Sequence, residues 1–311
     1  MTVYTILGAG GSIGNSLANE LIKQNRKVRL VSRSGFSWPG ATTFKADLTQ
    51  LSEAIECVRG SKFVFLCVGL PYDHKVWAKL WPRIMSHTIE ACKRAKARLI
   101  FFDNVYMYGQ VKGLMNERTP YYPCTRKGEV RAEIARLLYH EMKRGDICAS
   151  IARAADLYGP YATRNSIPWL MVFDNLLHHK GAQWLVNDKV LHSFSYTIDC
   201  ARAMVMLADN EASFNKIWHL PTCQPGITGR EFIELVAREL NVRSRYFILR
   251  PWMISLTGCF NRTVQESMEM LYEYKFEYQF DSSRFEQYFK FTPTSYPLGI
   301  SETVSFYNKN I

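Results

Sequence analysis

The 311-residue sequence lacks the features that mark membrane-spanning, secreted and metal-binding proteins. No apolar run approaches the roughly 18 residues that a spanning helix needs, and no basic region precedes an apolar stretch at the N-terminus. The eight cysteines form no Cys-x-x-Cys pair, and the seven histidines show no metal-ligand spacing. We therefore expect reduced thiols, no metal, no membrane partner and a cytoplasmic location.

Internal repeats and low-complexity linkers are also lacking, so this length predicts two closely packed domains. Acidic residues are in the minority, with 28 Asp and Glu against 39 Lys and Arg and a net charge of +11. Such a balance favours an anionic substrate or cofactor, although a solvated basic surface is the simpler explanation. No recognition motif supports a nucleic-acid partner. We expect a small-molecule substrate and a chain that acts as a monomer or a homodimer.

Short apolar runs alternate with helical spacing through the first 150 residues. Apolar side chains recur four apart at Ile13, Leu17 and Leu21, and a later helix is expected to open near Pro82. Repeated strand–helix units, with strands buried on both faces, predict a parallel sheet covered by helices. The expected strands are residues 3–7, 28–31, 43–46, 63–68, 98–102 and 148–153.

The pattern changes after Tyr158-Gly159-Pro160, where helices become frequent. Thr228 and Glu231 have the spacing of a capping box, and residues 250–274 are typical of two short helices around Asn261. We predict an α/β fold with a Rossmann-type, doubly wound parallel sheet in residues 1–160. A segment near 185–220 is expected to return to that sheet, and residues 161–311 to form mainly a smaller, mostly helical substrate domain.

The segment Gly8-Ala9-Gly10-Gly11-Ser12-Ile13-Gly14 follows the first strand and opens the first helix. Gly8 permits a tight turn, Gly11 lets the backbone approach a pyrophosphate, and Gly14 lets the helix pack closely. The free N–H groups at the helix start favour phosphates. The motif therefore indicates a dinucleotide site, to which we assign Gly8, Gly10, Gly11, Ser12, Ile13 and Gly14, with Val68 and Gly69 at the end of the fourth strand.

The end of the second strand bears on the choice of dinucleotide. An acidic residue there would bond the ribose 2′-hydroxyl of NAD, whereas Ser32 and Arg33 suit the 2′-phosphate of NADP. The sequence favours NADP, with NAD as the alternative and an outward-pointing Arg33 as the plainer interpretation. Asp47 and Leu48, after the third strand, are placed to meet the adenine, although Asp47 would serve equally as a helix N-cap.

These motifs together resemble the extended short-chain dehydrogenases/reductases, the NAD-dependent epimerase/dehydratase family. Besides the glycine turn and Asp47-Leu48, the resemblance rests on Tyr108-Gly109 and on Arg153 followed by Tyr158-Gly159-Pro160. Residues 192–203 are similar to the family segment Arg-Asp-Phe-Ile-His-Val-Asp-Asp-Val-Ala. The resemblance covers nearly the whole chain and implies a nicotinamide cofactor.

The resemblance also implies a catalytic serine or threonine and a Tyr-x-x-x-Lys pair, and this chain departs from all three. Asn104, four residues before Tyr108, takes the serine position, and its amide can donate a hydrogen bond. Lys127 stands near the tyrosine position, where it would act as acid/base or only bind cofactor. Arg131, four residues later, would bind ribose or phosphate. Tyr106 is a further candidate proton donor, or else a packing aromatic.

Asp156 is the last departure, because the resembling sugar-nucleotide epimerases have an asparagine there, near the substrate diphosphate. A carboxylate would repel a diphosphate, which favours a neutral or cationic substrate or a base role for Asp156. We expect an NADP-dependent oxidoreductase, or an epimerase/dehydratase-like enzyme, acting on an unidentified hydroxyl or carbonyl substrate. The alternative is a dinucleotide-binding sensor or scaffold without turnover, since the Tyr-x-x-x-Lys pair is missing.

Overall fold

A seven-stranded sheet organises the N-terminal part of the chain, and all of its strand pairs are parallel. The computed structural model describes residues 2–163 and 166–309. The sheet order is β12-β7-β5-β4-β1-β2-β3. The strands are β1 Val3–Leu7, β2 Lys27–Ser32, β3 Ala41–Lys45, β4 Phe63–Leu66, β5 Arg98–Asp103, β6 Leu114–Met115, β7 Ala149–Arg153, β8 Asp156–Tyr158, β9 Ala182–Leu185, β10 Leu191–His192, β11 Phe194–Tyr196, β12 Lys216–His219, β13 Ile227–Thr228, β14 Tyr246–Leu249 and β15 Gln279–Phe280.

Helices cover both faces of this sheet, as the continuous apolar runs of its central strands require. Helices α1 and α6 pack together on one face, and α2, α3 and α4 pack in sequence on the other. The helices are α1 Ser12–Lys23, α2 Leu51–Val58, α3 His74–Ala95, α4 Arg126–Arg144, α5 Asp174–Leu177, α6 Thr197–Asp209, α7 Gly229–Glu239, α8 Pro251–Gly258, α9 Arg262–Ser267, α10 Tyr272–Lys275, α11 Ser283–Phe289 and α12 Tyr296–Asn308. The predicted doubly wound α/β fold is confirmed.

The start of α3 was predicted wrongly. The helix begins at His74, and Pro82 lies inside it rather than in its first turn. The Asp73 carboxylate accepts hydrogen bonds from the N–H groups of Lys75 and Val76, so it caps the true N-terminus. The preference of proline for first turns was a weaker signal than this cap.

The C-terminal half contributes both to the sheet and to a separate core. Strand β12 pairs with β7, and α6 packs against α1, so residues 197–219 lie on the Rossmann sheet. The rest is built around Trp184, Phe194 and Phe232, with α7 capped by the expected Thr228–Glu231 capping box. Asn261 caps α9 and separates it from α8, as the sequence indicated. No helix among the described residues is long and apolar enough to cross a membrane.

One buried carboxylate links two strands of the sheet to a helix that covers it. Asp103 ends β5 and is fully buried, and its Oδ1 accepts from Arg131 Nε on α4 at 2.8 Å and also from Arg131 Nη2. Its Oδ2 faces Arg153 Nε on β7 at 3.4 Å. Because both arginines are buried, Asp103 neutralises charge that water does not reach.

Asp103→Asn should therefore lower the free energy of unfolding by about 3–5 kcal/mol, the usual cost of leaving a buried charge without its partner. Urea unfolding followed by circular dichroism measures the change. The control is Glu56→Gln, which breaks an exposed pair with Arg59 and should cost less than about 1 kcal/mol. A loss for Asp103→Asn no larger than the control would show that the buried pairs stabilise little.

Candidate active site

A cavity of about 860 Å³ opens at the carboxyl ends of β1, β2 and β4. Parallel α/β sheets bind ligands at this edge. Of the residues predicted to hold a dinucleotide, the cavity is lined by Gly8, Gly10, Gly11, Ser12, Ser32, Arg33, Asp47, Leu48, Val68 and Gly69.

The glycine turn has no room for side chains at two of its positions. Gly8 has φ +102°, and a Cβ there would lie 2.6 Å from the carbonyl oxygen of Cys67. A Cβ on Gly14 would lie 2.6 Å from the carbonyl oxygen of Gly8, so the helix start packs directly on the turn. The Asn15 side chain accepts a hydrogen bond from Gly10 N at 3.0 Å and braces the loop. Both glycines are thus needed by the backbone itself.

Gly11 differs, because its backbone is extended, with φ −88° and ψ 166°, and accommodates any side chain. A Cβ there would meet only the Gly8 carbonyl oxygen, at 3.4 Å, and would otherwise enter the cavity. Gly11 is the N-cap of α1, whose first N–H groups have no intrahelical acceptor. The cavity floor therefore fits the phosphates of a dinucleotide.

The groups at the cavity rim are held in a defined arrangement. Ser32 Oγ accepts from Phe36 N at 2.8 Å, which fixes the loop after β2, and Arg33 is exposed. A hydrogen bond from Thr49 N, with the charge of Arg33 contributing less, lowers the pKa of Asp47. Asp47 is not a helix N-cap, because Gln50 holds that position at the start of α2. It instead closes the turn that leads into α2.

Three of the predicted cofactor residues lie outside the cavity lining. Ile13 and Gly14 are buried in the first turn of α1 and contribute through the backbone at most. Arg131 is paired with Asp103, and its guanidinium lies 4.6 Å from the Trp81 ring centroid. The resemblance assigned this guanidinium to the cofactor, but in the structure it pairs with the buried Asp103 carboxylate. The local sequence does not indicate that partner.

Sequence reasoning missed the far wall of the cavity. Phe36 comes from the loop after β2, whereas the others lie far beyond the glycine turn in the chain, after β8 and in α12. They are Tyr161, Thr163, Phe306 and Tyr307. No spacing rule links these residues to the glycine turn, and only the packing of α12 brings the last two there.

Lys127 lies where the resemblance places the catalytic tyrosine, but it is fully buried and fully engaged. Its ammonium donates to the Glu266 carbonyl, to Glu266 Oε2 and to Glu269 Oε1, each at 2.8 Å. All three N–H donors are thus used. Lys127 and Arg131, the two cations at the family's catalytic positions, thus both pair with carboxylates and not with Asn104.

The same carboxylate, Glu266, also contacts His74 Nδ1 at 2.7 Å. The ligand atoms of Asp73, His74 and Glu266 come within 4.8 Å of one another, a spacing that a metal ion could use. However, Arg262 pairs with Asp73 at 2.6 Å, and Lys127 pairs with Glu266. Cations already neutralise these carboxylates, so we assign no metal to them.

Asn104 and Tyr106 lie together just beyond β5. Asn104 Oδ1 accepts from Tyr106 N at 3.2 Å, which leaves the amide NH₂ as the group available to a ligand. The Tyr106 hydroxyl accepts a long hydrogen bond from Tyr72, at 3.5 Å, and its ring stacks on Trp77. Lys127 Nζ lies 4.5 Å from the Tyr72 ring centroid. The Tyr106 ring is therefore packed against a neighbour, while its hydroxyl takes part in a hydrogen bond.

Asp156 accepts hydrogen bonds from two sides. His192 Nε2 lies 3.1 Å from its Oδ2, and the Tyr274 hydroxyl lies 2.8 Å from the same oxygen. The His192 ring stacks between aromatic rings, with Tyr274 and Tyr278 centroids at 4.6 and 4.4 Å. Asp156 is thus held in one orientation by the C-terminal domain.

Glu273 is the functional candidate that sequence reasoning missed. Its carboxyl is buried, and its Oε1 has no hydrogen-bond partner among the described residues. Burial, and then the charge of Asp156, raise the pKa of Glu273 well above its usual range. Burial, followed by neighbouring groups that include Glu273 and Asp156, likewise raises the pKa of Tyr106. The two carboxyls and the phenol therefore lie within electrostatic reach of one another.

Glu273→Gln should become more stable relative to the parent protein as pH rises. Below the unfolded-state pKa of about 4.3, the carboxyl is neutral in both states. Above that pH, the unfolded chain releases its proton first, so the parent loses stability by about 1.4 kcal/mol per pH unit until the folded-state pKa is passed. Urea unfolding at several pH values tests this, with Glu277→Gln, an exposed neighbour, as the control. A constant difference across pH would contradict a protonated Glu273.

Comparisons with known proteins agree with this geometry. The model of the NAD dependent epimerase/dehydratase family matches residues 4–219, more than half of the chain. No curated protein sequence matches the chain significantly.

Solved structures share the fold at low identity. MoeE5 in complex with UDP-glucuronic acid and NAD has 19% identity and a TM-score of 0.81, with both chains fully covered. The Thermus thermophilus UDP-glucose 4-epimerase complex with NAD has 15% identity and a TM-score of 0.81, again with both chains fully covered. The dTDP-glucose 4,6-dehydratase from Bacillus anthracis in complex with NAD has 15% identity and a TM-score of 0.80, covering 100% of this chain and 97% of its own. With the family match over residues 4–219, the chain belongs to the NAD dependent epimerase/dehydratase family.

Proposed function

We propose that this protein is an NADP-dependent oxidoreductase that acts on the hydroxyl or carbonyl group of a small molecule. The observation that carries the proposal is the cavity, which joins a glycine-rich turn to Arg33 at its rim. When bound, a nicotinamide dinucleotide supplies or accepts a hydride. The family match and the NAD complexes of the structural neighbours support this cofactor class.

The rim favours the phosphorylated dinucleotide. Ser32 stands where an acidic residue would bind the ribose diol of NAD, and a hydroxyl does not repel a phosphate. Arg33 is exposed beside it and has five N–H donors to offer. The loop after β2, which carries Arg33, is held by the hydrogen bond from Phe36 N to Ser32 Oγ.

Gly11→Val should abolish dinucleotide binding without unfolding the protein, because its backbone tolerates a side chain that fills the phosphate position. Calorimetric titration with NADPH measures binding, and thermal unfolding verifies the fold. Gly8→Val is the contrasting variant, since φ +102° and the Cys67 carbonyl forbid its side chain and the fold itself should fail. Parent-like NADPH affinity in Gly11→Val would place the cofactor elsewhere.

Arg33→Ala should weaken NADPH binding by about 1.5–3 kcal/mol, the usual worth of a hydrogen bond to a charged group, and should leave NADH binding nearly unchanged. The parent protein should bind NADPH more tightly than NADH in the same titrations. Lys23→Ala, an exposed cation at the end of α1, is the control for general loss of charge. Equal affinities of the parent for the two dinucleotides would refute the NADP assignment.

Proton chemistry is assigned to Asp156 and Glu273. Where two neighbouring acidic groups have different environments, one keeps its proton and acts as the acid, and the other acts as the base. Burial raises the pKa of Glu273, which suits this carboxyl to the acid role, and Asp156, oriented by His192 and Tyr274, takes the base role. Asn104 and Tyr106 offer donors for the substrate oxygen. The carboxylate of Asp156 favours a neutral or cationic substrate over a nucleoside diphosphate.

Asp156→Asn should lower kcat at least 100-fold for any carbonyl substrate that oxidises NADPH, in the range expected for loss of an acid/base group, with NADPH affinity kept. The change is nearly isosteric, so the contact with Tyr274 can persist. Glu277→Gln, exposed and close in sequence to Glu273, should leave kcat unchanged. An Asp156→Asn variant with parent kcat would remove Asp156 from the chemistry.

A second candidate function is dinucleotide binding without turnover. The ion pairs of Lys127 and Arg131 favour it, because they neutralise both cations that stand at the family's catalytic positions. Titration of the NADPH-loaded protein with a panel of aldehydes and ketones separates the two. Tight NADPH binding with no hydride transfer to any of them favours the sensor or scaffold.

A further inference from the structure

Helix α8 and the turn that follows it carry an apolar stripe on their exposed side. Trp252, Leu256 and Phe260 follow one another at four-residue spacing, and their exposed fractions are 65%, 61% and 88%. The opposite side of the helix is anchored by Ile254 and Gly258, which are buried. Large side chains so exposed on one face of a helix indicate a partner, because a soluble surface ordinarily scatters them singly.

The chain on either side of this stripe is basic. Residues 241–265 contain four arginines and no aspartate or glutamate. Arg243, Arg245 and Arg250 are exposed, and Phe247, on β14 between them, is 45% exposed. Lys180 is also exposed, two residues before Ala182, whose N–H donates to the Arg245 carbonyl. The arginine–aromatic surface, as we name it, comprises Arg243, Arg245, Phe247, Arg250, Trp252, Leu256 and Phe260.

We propose that the arginine–aromatic surface docks this protein on an anionic phospholipid membrane. Its apolar side chains suit the boundary between headgroups and acyl chains, where tryptophan and phenylalanine are favoured. Arginines beside them meet the phosphates of anionic lipids, each contributing to attraction near the surface. The structure thus combines the two elements of peripheral membrane attachment, a shallow apolar face and a basic rim.

Charge argues against a second copy of the chain as the occupant. A twofold symmetric contact would place this surface against itself, so Arg243, Arg245 and Arg250 would face the same three cations. No acidic residue between positions 241 and 265 could relieve that repulsion. Nucleic acid would meet the arginines but would leave the aliphatic Leu256 without an apolar environment.

Vesicle flotation with the full chain tests the proposal. The protein should float with vesicles of phosphatidylcholine mixed with phosphatidylglycerol, and should not float with phosphatidylcholine alone. Since each arginine contributes about a fivefold factor, replacing all three with glutamine should weaken binding about 100-fold. Trp252→Ser combined with Phe260→Ser should weaken it at least tenfold.

Matched controls separate the surface from general effects. Lys23→Gln removes an exposed cation on α1, and Leu298→Ser removes an apolar side chain on α12 that is 53% exposed. Both should float like the parent, and every variant should keep its thermal midpoint. Brominated lipids should quench part of the tryptophan fluorescence of the parent, and Trp252→Phe should abolish that quenching.

Four results would overturn the proposal. They are absence of flotation with anionic vesicles, equal flotation with neutral ones, flotation unchanged in the surface variants, and no quenching by brominated lipids. Light scattering of the Trp252→Ser, Phe260→Ser variant separates the rival occupants. A dimeric parent that does not float and a monomeric variant would assign the surface to self-association. Retention of duplex DNA by the parent in place of vesicles would assign it to nucleic acid.

Discussion

Two arginines share a single buried carboxylate at the centre of this molecule, and much of the site follows from that constraint. Asp103 ends β5, where a short-chain dehydrogenase-like sheet presents its catalytic edge, and it receives Arg131 from α4 and Arg153 from β7. A buried guanidinium cannot be left without an anion, so Arg131 is held in the core and away from the cavity. Arg153 in turn donates to Tyr108, whose hydroxyl bonds His219. A chain of buried hydrogen bonds therefore holds this edge of the sheet.

Lys127, where α4 meets the C-terminal domain, is likewise a buried cation that carboxylates neutralise. It is buried on α4, and the acids that neutralise it, Glu266 and Glu269, come from the C-terminal domain. This contact draws α9 and the following turn over the start of α4. Asp156 and Glu273, by contrast, have no lysine or arginine partner among the described residues. The proposed assignment of proton chemistry to these two carboxyls rests on that difference.

The cofactor half of the site obeys local rules more closely. Gly8 and Gly14 are required by backbone geometry, whereas the backbone at Gly11 accepts any residue. The proposed phosphate site gives a reason for glycine at that position. The arginine–aromatic surface lies in the C-terminal domain. The proposed membrane attachment and the proposed cofactor binding therefore use different residues.

The sequence by itself determined the parallel sheet, the glycine turn at its edge and the capping of α7, because strand periodicity, positive-φ glycines and caps depend on residues within a few positions of one another. It also placed Asp47 and Arg33 at the cavity rim. It failed at the start of α3, where the Asp73 cap outweighed Pro82. Only the tertiary structure decided which groups Arg131, Lys127 and Glu273 meet. Their partners lie up to about 140 residues away, and no local pattern records which buried charge meets which.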